Sequence, residues 1–121
     1  EIMYNIIFYE DKNGYSRVKE FIQELNLKSK KDKSCSILFN KIVAYFDILE
    51  ELGTRVGKPV TKHLEGEIWE LRPLKNRILY AYYKDNTFII LHHFVKKTRK
   101  APAKEIKHAI RNLRDYRERN G

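Results

Sequence analysis

Three consecutive runs between Glu67 and Lys97 constrain this chain more than any other feature. The first is Glu67-Ile68-Trp69-Glu70-Leu71-Arg72, followed by a turn at Pro73-Leu74-Lys75-Asn76. The second is Arg77-Ile78-Leu79-Tyr80-Ala81-Tyr82-Tyr83-Lys84, and Asp85-Asn86 separates it from Thr87-Phe88-Ile89-Ile90-Leu91-His92-His93-Phe94-Val95-Lys96-Lys97. Each run has strand length and is rich in branched and aromatic residues. Asp85-Asn86 has the size of a two-residue hairpin loop. The expected product is a three-stranded antiparallel meander. Arg72 then ends the first strand, Arg77 opens the second, and Lys96 and Lys97 end the third. In a meander those positions share one edge of the sheet, so four cations converge there.

The rest of the chain supplies the covering layers. Tyr4 to Tyr9 reads as a short strand, and Glu10 to Gly14 as a turn. Ser16 fits a helix N-cap ahead of Arg17 to Leu27, with Val18, Phe21, Ile22 and Leu25 at helical spacing. Lys28 to Ser34 is a basic connector. Cys35, Leu38, Ile42, Tyr45, Leu49 and Leu52 step by three and four, which predicts a second helix stopped by Gly53. The two helices form an antiparallel hairpin on the sheet. Thr54 to Gly66 reads as a long loop carrying Arg55, Lys58, Lys62 and His63. Pro102 opens a final helix with Ile106, Ala109, Ile110, Leu113 and Tyr116 on one stripe. The expectation is one α+β domain over residues 1–121, with a small, mainly antiparallel sheet, an N-terminal helical hairpin and a C-terminal basic helix.

Charge narrows the partners. There are 25 Lys and Arg against 16 Asp and Glu, a formal +9. From Lys96 to Gly121 ten cations stand against three anions, a local +7. Such an excess suits nucleic acid or an acidic protein. No apolar run approaches the ~20 residues that span a bilayer, so no membrane partner is expected. The N-terminus, Glu1 to Ile6, has no basic region ahead of an apolar one and does not read as a secretory signal. Cys35 is the single cysteine, which leaves no disulfide and makes a reducing, cytoplasmic setting the expectation.

Several residues are chemical candidates. Arginine suits a phosphate on which charge grows, because its planar fork donates two parallel hydrogen bonds and keeps its charge. Arg72 and Arg77 are therefore the leading pair; solvated strand ends are the plain alternative. His92 and His93 must point to opposite faces, and either serves packing or proton transfer. The same holds for His63. His108 falls on the solvated side of the last helix. No histidine pair has metal-ligand spacing with a carboxylate. Glu70 shares a face with Arg72 and reads as its ion-pair partner. Tyr83 shares a face with Arg77, three residue pairs further along the strand.

Together these residues resemble a known family. His63-Leu64, then Ile68-Trp69-Glu70-Leu71-Arg72, Arg77 opening the next strand, His92-His93-Phe94-Val95-Lys96-Lys97-Thr98, then Pro102 and Glu105-Ile106 ahead of Ala109, resemble the HigB-like branch of the RelE/ParE toxin superfamily. The likeness is close over about residues 60 to 116. It implies a RelE-like fold and a phage-derived type II toxin that cuts mRNA on the translating ribosome, without metal or cofactor. The family chemistry is attack by a ribose 2′-hydroxyl on the adjacent phosphate. Arg72 and Arg77 match the family's strand arginines, and Lys96 and Lys97 its basic segment. Lys96, His92 and Tyr83 are the proton-transfer candidates. Lys97, Arg99, Lys100, Lys58 and Lys62 are the expected RNA-binding residues. The resemblance also implies a cognate helix-turn-helix antitoxin of HigA type, with promoter DNA reached only through it. A ParE-like gyrase inhibitor and a non-catalytic RNA-binding module are the alternatives.

Overall fold

The computed structural model describes residues 3–121. Glu1 and Ile2, part of the N-terminal stretch read above, lie outside the described residues. The elements run β1 (Asn5–Phe8), α1 (Arg17–Lys28), α2 (Lys33–Leu52), a 3-10 turn (Gly53–Val56), β2 (Thr61–Glu65), β3 (Ile68–Leu71), β4 (Asn76–Tyr82), β5 (Thr87–Val95) and α3 (Ala103–Asn120). The five strands form one sheet in the order β1-β5-β4-β3-β2. Among the described residues, only the β1–β5 pair is parallel. The α+β architecture expected from the sequence is present, with the helical hairpin on one face and α3 on the other.

The turn between β4 and β5 sets the registers. Asp85 and Asn86 adopt φ of 54° and 55°, and Thr87 N donates to Lys84 O at 3.1 Å. Two consecutive positive φ values define a type I′ turn, whose twist matches that of its strands. Asp and Asn tolerate that region better than other non-glycine residues. The β4–β5 ladder then runs from Tyr82 opposite Phe88 to Asn76 opposite Val95. It is interrupted once. Leu79 lies opposite His92 and Tyr80 opposite Ile90, so Leu91 is an extra residue. Both Leu91 and His92 consequently face α3.

Each face buries its own cluster. Leu71, Ile78, Tyr80, Phe88 and Ile90 meet α1 and α2 through Val18, Leu25, Ile42 and Leu49. Ile68, Leu79, Ala81, Ile89, Leu91 and Phe94 meet Ala109 and Leu113 of α3. The helix limits follow the capping residues: Ser16 Oγ accepts from Lys19 N, and Asp32 Oδ1 accepts from Cys35 N. Gly53 ends α2 at φ 63°, where a Cβ would come within 2.9 Å of the Tyr4 ring. Only glycine satisfies both demands. The seam of α2 closes at Leu49, since Leu52 is exposed.

The stretch from Thr54 to Gly66 differs from its expected loop. It holds the 3-10 turn and an edge strand, β2, paired with β3 through Lys62 opposite Glu70 and His63 opposite Trp69. Its charged residues mask the alternation that marks a strand, and edge strands tolerate such charges.

His93 faces the helical hairpin. It stacks on Phe21 with ring centroids 3.7 Å apart, and Nε2–H donates to Asn76 Oδ1 at 2.8 Å. Burial holds its pKa down at about 4 against an ordinary 6.5. Between those values the unfolded chain binds a proton that the folded chain refuses, so stability rises with pH across the window. His93→Gln should flatten this dependence. Urea midpoints at pH 6.5 and pH 4 should differ less in the variant, by on the order of 2 kcal/mol in unfolding free energy. Asn86→Gly should raise stability by about 0.5 kcal/mol by relieving a left-handed residue. Its urea midpoint should rise with the slope unchanged.

Candidate active site

A buried carboxylate occupies the centre of the cation cluster. Glu70 sits on β3 with 2% exposure, on the α3 face of the sheet, as its cross-strand neighbours Leu79 and Lys62 require. Arg72 follows two residues later on the same face. Arg77 lies diagonally across β4, because Leu79 is opposite Glu70 and Arg77 is two residues before Leu79. Arg72 Nε is 3.4 Å from Glu70 Oε2, and Arg77 Nε is 3.7 Å from Glu70 Oε1. Neither approach is a hydrogen bond. Both Nε atoms are buried without a partner.

The two arginines differ in freedom. Arg77 is 7% exposed, and its Nη1 donates to Leu74 O and Asn76 O, each at 2.8 Å. Burial draws its pKa down, with Arg72 adding to the effect and Glu70 opposing it. Arg72 lies just beyond β3, with its backbone N–H on Val60 O, and its side chain is about a quarter exposed. Both arginines reach the expected meeting point, but neither is a solvated strand end. Arg77 is held below the surface and offers one terminal nitrogen, Nη2, rather than a two-pronged fork.

Lys96 and Lys62 complete the cluster. Lys96 N donates to Lys75 O at 2.7 Å, which continues the β5 ladder by one residue. Its ammonium pKa is lowered by burial first, then by Arg77, Arg72 and Lys62, with Glu70 acting the other way. Lys62, read as a loop residue, stands on β2 directly opposite Glu70. A cavity of about 650 Å³ opens beside Arg77, lined by Leu74, Lys75, Val95, Lys96, Lys97 and Thr98. Arg99 and Lys100 follow on the exposed connector, and Lys58 is exposed ahead of β2. Four cations around one carboxylate leave a local excess of positive charge.

The other candidates separate into near and far. His92 lies one diagonal step from Arg77 on the same face, since Arg77 is opposite Phe94. Its Nε2–H donates to Glu105 Oε1 at 2.7 Å, and its ring stacks on His108 at 4.1 Å. His108 is therefore packed rather than solvated, and burial lowers its pKa. Tyr83 is at the wrong end of the sheet. It is six residues from Arg77, roughly 20 Å along the strand, packed edge-on to Tyr116 with its hydroxyl on Gly121 O. Its shared face with Arg77 is real, but the strand carries it away. His63 points to the opposite face, against Trp69, with Nε2 near Gly66 O.

Sequence reasoning gave Glu70 a lesser role than its position warrants. The signal was its alternation with Arg72, two residues on, beside a strand opening with Arg77. Among the described residues no cluster of three or more His, Cys, Asp or Glu could hold a metal ion. None of their helices is long and apolar enough to cross a membrane.

Comparison with known proteins places the chain. No curated protein matches it in sequence. The model of the phage-derived protein Gp49-like family (DUF891) matches residues 20–114, from α1 to well into α3. That span holds every member of the cation cluster, and the chain therefore belongs to the Gp49-like family, within the RelE/HigB-like superfamily of type II toxin–antitoxin toxins.

Proposed function

We propose that this protein is a HigB-like endoribonuclease that cuts mRNA on the translating ribosome and thereby inhibits translation. The observation that carries the reading is the grouping of Arg72, Arg77, Lys96 and Lys62 around one sheet end. A phosphodiester gains negative charge as the 2′-hydroxyl attacks it. Preorganised cations that meet this charge lower the barrier, and one such donor is worth on the order of 3–4 kcal/mol. Arg72 and the Nη2 of Arg77 bind the scissile phosphate and stabilise the pentacoordinate state. Lys96 takes the proton of the attacking 2′-hydroxyl and returns one to the 5′-oxygen that leaves as the P–O5′ bond breaks, because a lysine whose ammonium is destabilised exchanges protons closer to neutral pH. His92, steadied by Glu105, is the second proton-transfer candidate; Tyr83 has no place in the reaction.

Lys97, Arg99, Lys100, Lys58 and Lys62 hold flanking phosphates, and the basic face of α3 docks on ribosomal RNA. The family's antitoxin, as a helix-turn-helix protein of HigA type, covers the basic face and alone contacts promoter DNA. A ribosomal target places the toxin in the cytoplasm.

The test is induced expression with mapping of transcript ends, alongside growth. Wild-type protein should arrest growth and leave cuts in translated messages. Arg72→Ala removes a side chain about a quarter exposed and should lower cleavage roughly 100- to 1,000-fold, with the circular dichroism spectrum unchanged. Arg77→Lys should do the same without leaving Glu70 unpaired. Undiminished cleavage in both variants refutes the mechanism. Arrest with intact transcripts and inhibited DNA supercoiling would instead identify a gyrase poison.

A further inference from the structure

We propose that Glu70 is the positioning residue of this site: it anchors the Nε edges of Arg72 and Arg77 so that their outer nitrogens meet one phosphodiester. The inference rests on the ribonuclease reading for its kinetic consequence, but not for its geometry.

The donor inventory leads to it. A guanidinium has five N–H donors in a fixed plane. In Arg77, both Nη1 bonds go to backbone carbonyls of the β3–β4 turn, and Nε faces Glu70. Nη2 is the one nitrogen of Arg77 that faces neither Glu70 nor these carbonyls. In Arg72, Nε faces Glu70 from the other side, and both terminal nitrogens remain. The two side chains therefore turn the same edge inward, toward one carboxylate, and the same end outward.

The Nε–H groups are also under-bonded. Buried donors without partners are rare, and each calls for a physical reason. Here the two donors sit 3.4 and 3.7 Å from opposite oxygens of one buried carboxylate, slightly beyond hydrogen-bond reach. Glu70 thus holds two like charges apart without satisfying either. A phosphate drawing the terminal nitrogens outward leaves this anchor as the fixed point about which both guanidinium planes turn.

Glu70 has an opposite effect on binding. It is the carboxylate nearest the cations, so it weakens their hold on a ground-state phosphate while fixing their geometry. Neutralising it should separate affinity from rate. Glu70→Gln keeps shape and an acceptor oxygen but removes the charge. It should bind a 2′-O-methyl oligonucleotide, which cannot be cleaved, at least as tightly as wild type. Its saturating cleavage rate on ribosome-bound mRNA should fall roughly 100-fold, the loss expected when aligned groups drift by about 1 Å. Glu70→Asp, which restores the charge on a shorter stem, should recover part of that rate.

A second readout is independent of catalysis. In the nitrogen–proton NMR spectrum of wild-type protein, the Nε–H signals of Arg72 and Arg77 should exchange with water slowly, and those of Arg99 fast. In Glu70→Gln the two slow signals should become fast while the backbone spectrum persists. Wild-type saturating rate in folded Glu70→Gln overturns the proposal, as does fast Nε–H exchange of both arginines in the wild type. Loss of oligonucleotide affinity in step with rate overturns it too, since that marks a merely structural residue. No cleavage by the wild type, with protected Nε–H signals lost in Glu70→Gln, removes the ribonuclease reading and leaves the anchor standing.

Discussion

The structure depends on the pairing of β4 with β5. These two strands are buried on both faces, and their register places Arg77, His92 and Lys96. A one-residue slip in a ladder sends each side chain to the other face. The type I′ turn at Asp85-Asn86 excludes such slips at one end. The extra residue at Leu91 then makes one deliberate change of phase in the middle. Before the bulge, Ile90 faces the helical hairpin; after it, His92 and Phe94 face α3 and His93 faces α1. Without it, His93 rather than His92 would meet Glu105.

The same register concentrates like charges, which is energetically unfavourable. Two arginines and two lysines close together repel one another, and removing any of them from water adds a further cost. Three things offset this. Glu70 contributes an opposite charge among them. The carbonyls of Leu74 and Asn76 solvate Arg77 in place of water. Arg72, Lys62 and Lys96 keep part of their surface exposed. The lowered pKa values of Arg77 and Lys96 show that the compensation is incomplete. The cluster is left with a net positive charge.

Much of this was legible in the sequence because it rests on short-range rules. The strands of the meander, the two-residue loop at Asp85-Asn86, the N-cap at Ser16 and the stop at Gly53 each need only a few neighbouring residues. The convergence of Arg72, Arg77 and Lys96 follows from meander connectivity alone. What was not legible depends on longer-range geometry. β2 was hidden because Thr61, Lys62, His63 and Glu65 show no apolar alternation, and its strand character comes from β3 beside it. Tyr83 was placed on the correct face, yet alternation gives no distance along a strand. His108 was assigned to solvent because periodicity does not reveal that His92 lies beneath it. Glu70 was seen as a partner of Arg72. Its role as the shared centre of two arginines required the β3–β4 register, which sets Leu79 opposite it and Arg77 on the diagonal.

The sheet thus divides its work between its two ends. At the end near Tyr83, polar groups are matched to one another: Arg117 pairs with Glu67 through two hydrogen bonds, and the Tyr83 hydroxyl bonds Gly121 O. Such satisfied pairs hold α3 in place and have little left to offer a ligand. At the other end the donors outnumber the acceptors, and two of them are buried without a bond. Natural structures seldom retain unmatched buried donors unless something compensates for their cost. That imbalance sets this end apart, because its donors are not used up by contacts within the fold. The stable end of α3 keeps the strands aligned, and this alignment lets the opposite end remain short of acceptors without coming apart.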